Sequence, residues 1–199
     1  MSETIVLTLL AVLIVPGPTN SLLFQTGINR GLNLRALQWV VAEWAAYLVQ
    51  ITAWGLTLDW IAHDHPWVAT VSKVFATGFL FYIAIKLWGM ARQGAGGTPG
   101  LSPAGLFGAT LTNPKGLFFA SFVAPAGTFL HSASYVGFMG MFTLVVLPVG
   151  TAWIAFGAVF GGRLTSDHTS LWLNRGVSMV IALFASGLLY NVALKPLLA

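Results

Sequence analysis

The chain of 199 residues is 57% apolar and only 7% charged, where an ordinary soluble domain carries roughly a quarter of its residues as Asp, Glu, Lys or Arg. That leaves too little to make a wetted surface, which excludes a soluble globular domain and predicts an all-α integral membrane protein. A net charge of +4 on so few groups lacks the clustered Lys and Arg of a nucleic-acid footprint, and with no cysteine neither a disulfide framework nor a thiolate metal site is expected.

A bilayer core about 30 Å thick needs ~20 mostly apolar helical residues, because the backbone must satisfy its own hydrogen bonds there. Windows of that length run from Ile5 to Gly27, Leu37 to Leu58, Trp67 to Met90, Pro103 to Leu130, Tyr135 to Phe160 and Leu171 to Leu198. The first is read as a permanent helix rather than a cleaved signal, since Met1 to Thr4 has no basic residue and Pro16-Gly17-Pro18 interrupts the run. Between the third and fourth windows, Gln93 to Gly100 is too rich in glycine and proline for a helix. Ser102 and Pro103 then form an N-cap with proline at the first helical position. The chain therefore divides into residues 1–92, a cytoplasmic linker at 93–102, and residues 103–199.

Basic residues assign the sides. Arg30 and Arg35 follow the first helix, Lys86 and Arg92 close the third, and Arg163 and Arg175 bracket the fifth connection, so those ends are expected in the cytoplasm. The second connection holds Asp59, Asp64, His63 and His65 and the fourth holds His131, which puts both outside together with the two termini. Ala76 to Lys86 also matches Ala185 to Lys195 at five of eleven positions. Three helices per half is an odd number, so the second copy enters the membrane from the opposite side. Two inverted three-helix repeats are the expected fold.

Proline-interrupted runs stand in corresponding helices of the two halves: Pro16-Gly17-Pro18-Thr19-Asn20 in the first and Asn113-Pro114-Lys115 in the fourth. Proline removes a donor and frees a carbonyl one turn earlier, so such a pair points to a midplane binding site; a packing kink is the alternative for each run alone. Glu43 lies near the centre of the second helix, where an ionised side chain costs about 2.5–3.5 kcal/mol on insertion scales, and is therefore expected to face the protein interior. Helical spacing adds Trp39, Tyr47, Gln50 and Trp54 to its face, an acid, a phenol and an amide between aromatic walls. Glu43 is a candidate proton carrier or partner for a substrate ammonium group, or else a structural partner of Lys115. Lys115, a dozen residues into the fourth helix, could pair with Glu43 or with a substrate carboxylate, or snorkel to the interface. The four histidines fall in or beside connections without metal-site spacing, and no nucleophile elbow, phosphate loop or dinucleotide fingerprint occurs. Neither an enzyme nor a cofactor is expected.

These motifs resemble the LysE/RhtB group of bacterial amino-acid exporters. Pro16-Gly17-Pro18 with Asn20 and then Arg30-Gly31, Gly78-Phe79-Leu80-Phe81-Tyr82, and Thr112-Asn113-Pro114-Lys115-Gly116-Leu117-Phe118-Phe119 match the family pattern in order and spacing over nearly the whole chain. The resemblance implies a plasma-membrane exporter of amino acids or close derivatives with six helices, a homodimer, an ion gradient such as H+ as energy source, and proline motifs that line the pathway. Where the family has glycines and an aspartate along the second helix, this chain has Arg35, Val41, Ala45 and Ala46, with Glu43 one turn from the family's acid. An exporter of an inorganic cation and a non-transporting membrane scaffold are the alternatives.

Overall fold

The computed structural model describes residues 2–65, 67–90 and 102–164 and scattered positions between 175 and 190. Residues 93–101 of the linker and most of the sixth window, with its half of the internal repeat, lie outside the described residues. Among those described, all regular structure is helical, with no strand.

The first apolar window folds as two helices, α1 (Ser2–Ile14) and α2 (Pro18–Arg30), bent by 62°. Pro16 and Pro18 supply no amide, so the ladder of α1 stops, and Pro18 restarts it at a position where a missing N–H costs nothing. Helix α2 stops at Gly31, whose φ of +68° suits a residue without a β-carbon and lets its amide donate to the Gly27 carbonyl at 2.9 Å.

Helix α3 (Leu37–Asp64) begins after an Asn33 turn, in which Asn33 Oδ1 accepts from the Ala36 amide at 2.9 Å, and α4 (Trp67–Met90) follows. Because α3 continues past Leu58, Asp59 lies within the helix rather than in a connection. Its Oδ2 accepts from the Phe129 amide at 3.1 Å and ties down the loop at 124–131. Trp54 departs from the expected stripe and is 42% exposed. At that level the Phe129 ring packs on Gly55, where a β-carbon would overlap it, and closes the interior.

The fourth window is also broken. It comprises α5 (Pro103–Leu111), a break at Thr112-Asn113-Pro114, the single turn α6 (Lys115–Phe118) and a π turn at Phe119–Val123. Helicity ends before Pro125 rather than at Leu130, as expected where the residue preceding a proline leaves the α region. Ser102 caps α5, its Oγ accepting from the Gly105 amide at 3.1 Å. Ser102→Ala is expected to cost about 1 kcal/mol, read as a lower thermal midpoint of the purified protein.

Helix α7 (Ser132–Leu164) contains Pro148, and its stretch Ser132–Phe160 is long and apolar enough to cross a membrane; the bent α1–α2 pair passes the same test when taken together. Helix α7 lies along α2 with backbone against backbone, since a β-carbon at Gly27 would overlap the Ile154 carbonyl oxygen and one at Gly157 the Phe24 carbonyl oxygen. Leu9, Leu13, Tyr47, Phe118, Phe119 and Phe142 form the larger buried cluster, and Leu23, Trp39, Val40, Leu106 and Ile154 a second. Between these clusters the two helix breaks meet.

Candidate functional site

Each break exposes carbonyls that its helix can no longer satisfy, and a side-chain amide takes them up. Asn20 Nδ2 donates to the Leu13 carbonyl at 2.6 Å and to the Val15 carbonyl at 2.9 Å. At the second break Gln50 Nε2 donates to the Leu111 carbonyl at 2.9 Å and to the Asn113 carbonyl at 2.6 Å. Gln50 reaches this position because Gly116 has no side chain; a β-carbon there would overlap the carboxamide.

Cross-links join the breaks. Lys115 Nζ donates to the Val15 carbonyl at 2.9 Å, one of the three bonds an ammonium can make. Asn113 Nδ2 reaches Thr19 Oγ1 at 3.3 Å and the Tyr47 hydroxyl at 3.4 Å, while Asn113 Oδ1 accepts from the Lys115 amide at 3.1 Å. Thr19, in the first turn of α2, also interacts with the Glu43 carboxyl. The Tyr47 ring packs edge-on against Phe119 and Phe142, with centroids 5.7 and 5.6 Å away, which gives the paired phenylalanines after Lys115 a role as walls.

Both ionisable side chains are enclosed, Glu43 at 1% and Lys115 at 3% exposure. They influence each other electrostatically, yet among the described residues no salt bridge joins them. Glu43 Oε1 is buried without a hydrogen-bond partner among the described residues. Its surroundings are filled: a β-carbon at Gly150 of α7 would lie 3.1 Å from Glu43 Oε2 and 3.0 Å from Val40. A cavity of about 490 Å³ opens elsewhere, lined by Leu10, Ile14, Pro148, Val149, Trp153 and neighbours, all apolar. In this conformation Glu43 is enclosed against α7 and does not line that cavity.

Of the residues singled out from the sequence, Gly17, Asn20, Glu43, Tyr47, Gln50, Asn113 and Lys115 are buried. Asn20, Glu43, Tyr47, Gln50, Asn113 and Lys115 converge on the two breaks. Pro16 and Pro114 are half-buried and act through the ladder they interrupt, whereas the side chain of Pro18 is exposed. Thr19, Gly116 and Gly150 were not anticipated as site residues. Thr19 stood inside the proline run, but nothing in the sequence marks two glycines as contacts of Gln50 and Glu43.

No protein-family model matches the chain, and neither the curated proteins nor the solved structures yield a match.

Proposed function

We propose that the chain is a multi-pass protein of the bacterial plasma membrane, with six helices in two inverted halves. In this reading it is a secondary transporter of the LysE/RhtB type, working as a homodimer, that exports amino acids or related small metabolites on a proton gradient. The observation that carries the proposal is the meeting of two helix breaks around one enclosed acid and one enclosed base, an arrangement that costs stability and is a common device for holding solutes within a bilayer. The membrane setting is supported by large apolar side chains on the outside of several helices, among them Phe75 at 65%, Ile85 at 72%, Leu144 at 76% and Leu183 at 74% exposure. Trp60 and Trp67, both exposed at the α3–α4 connection, suit an interfacial belt.

The halves rock about the breaks to alternate access, and the packed contact at Glu43 is the occluded stage. Glu43 carries a proton or holds the solute's ammonium group. Lys115 leaves Val15 as the halves part and takes the solute's carboxylate. An inorganic cation fits less well, because a hard ion wants six or more oxygen ligands and Glu43 is the one carboxylate at the breaks among the described residues.

Proteoliposomes loaded with a mixture of the common amino acids and given an imposed pH gradient provide the test, with external contents read by mass spectrometry. The wild type is expected to release a subset in a gradient-dependent way, and Glu43→Gln to lose that dependence. Equal, gradient-dependent release from both would remove Glu43 from the mechanism. No release from the wild type would favour a membrane scaffold or subunit, the reading to which the filled space around Glu43 and the wholly apolar cavity lend support.

A further inference from the structure

We propose that the Val15 carbonyl and the Glu43 carboxyl form a subsite for a primary ammonium group, occupied in this conformation by the protein's own Lys115. The chemistry of the donor set is one-sided. Val15 offers a carbonyl released by the prolines that follow it, at the C-terminal end of α1, where helical carbonyls carry partial negative charge. Asn20 Nδ2 fixes that carbonyl from its other side at 2.9 Å and holds Leu13 at 2.6 Å, so its orientation does not depend on Lys115. Glu43 Oε1 is a buried acceptor with no donor among the described residues, and a group must bring one from elsewhere if the oxygen is to be satisfied.

Lys115 enters this acceptor pair from the opposite break. Its Nζ meets the Val15 carbonyl at 2.9 Å and interacts electrostatically with Glu43 without bonding to it. The end of its chain runs beside Gly17, with Cε and Nζ 3.4 and 3.5 Å from where a β-carbon there would stand. A lysine side chain ends in the same headgroup as an amino acid begins with, and the link at Val15 is, among the described residues, the single ammonium contact that ties α6 to the end of α1. Lys115 is therefore a tethered stand-in. An arriving solute would place its ammonium on Val15 and Glu43, and the displaced Lys115 would become free for the solute's carboxylate. Only this last step rests on the transport proposal; the subsite itself is a statement about binding.

The test uses full-length protein in detergent with Lys115→Ala, which vacates a slot the length of n-propylammonium. That ion is expected to raise the variant's thermal midpoint saturably, n-propanol is not, and wild type is not expected to respond. Lys115→Met, which refills the slot without charge, should not respond either. Adding Glu43→Gln to Lys115→Ala should weaken n-propylammonium binding about tenfold or more, as for loss of a bond to a charged group. Equal response to amine and alcohol, an equal response of Lys115→Met, or indifference to Glu43→Gln would each overturn the subsite. Should Lys115→Ala not be recovered folded alone, its yield with n-propylammonium becomes the readout: recovery supports the subsite and none at any concentration overturns it. Amine binding without amino-acid flux would leave the subsite standing and the transporter not; flux without amine binding would do the reverse.

Discussion

Gly157→Val is expected to abolish recovery of folded protein, whereas Gly140→Val on the same helix should be nearly neutral. At Gly157 a β-carbon would overlap the carbonyl of Phe24, and Gly27 makes the reciprocal approach to Ile154. Extra methyl groups in a core usually cost about 1–3 kcal/mol because neighbouring side chains turn aside. Here the obstacle on both sides is main chain, which has no rotamer to change, so α2 and α7 must separate along their length. In the bilayer setting proposed above, close packing through small residues is one of the main sources of helix association, because water supplies no hydrophobic drive there. The cost therefore belongs in the rare class of about 4 kcal/mol or more. Among the described residues Gly140 has nothing within 4 Å of a β-carbon, and it controls for helix propensity. Monodisperse yield in size-exclusion chromatography decides the matter: similar yields for the two variants would mean that α2 and α7 are not packed on their backbones.

What the sequence made legible was local. A charge inside an apolar run, a proline where a helix should continue and a serine before a proline each act through their own backbone, so Glu43, Lys115, both breaks and the cap of α5 could be found without a partner in view. Partnership was not legible. The obvious pairing of the lone acid with the lone base is absent; Lys115 instead bonds the Val15 carbonyl, a backbone atom that no residue type advertises. Composition also overextended the fourth helix, since Ala124 to Leu130 is largely apolar and only Pro125 signals the stop. Asp59 looked like a loop charge because the acids and histidines after Leu58 resemble a connection, yet the helix carries on and uses that carboxylate to hold the Phe129 amide. The glycine contacts depend on which helices lie side by side, which short-range periodicity does not encode.

The caps themselves show how far the two breaks differ. Both amide donors belong to residues 1–92: Asn20 bonds back within its own bent helix pair, while Gln50 reaches across from α3 to the second break. Gln50→Met keeps the length and volume of that side chain and removes both bonds, together with an Oε1 that is buried without a partner among the described residues. An interhelical hydrogen bond in a membrane protein is worth only about 0.6 kcal/mol on average, because the loosened helices find other partners. The Leu111 carbonyl has less to fall back on, since the Lys115 amide one turn on is taken by Asn113 Oδ1, whereas the Asn113 carbonyl keeps the Gly116 amide at 3.3 Å. The loss should accordingly resemble one unsatisfied buried group at about 1–3 kcal/mol, toward the lower end because the unpaired Oε1 goes with it. Asn20→Leu strips the corresponding cap from the first break and leaves Lys115 on Val15, much as Gln50→Met leaves Gly116 on Asn113, so the two losses should be similar. Reversible unfolding of the purified variants measures both losses: a Gln50→Met variant as stable as the wild type would show that the second break satisfies its carbonyls without Gln50, and that the amide between α3 and α5 is packing rather than a cap.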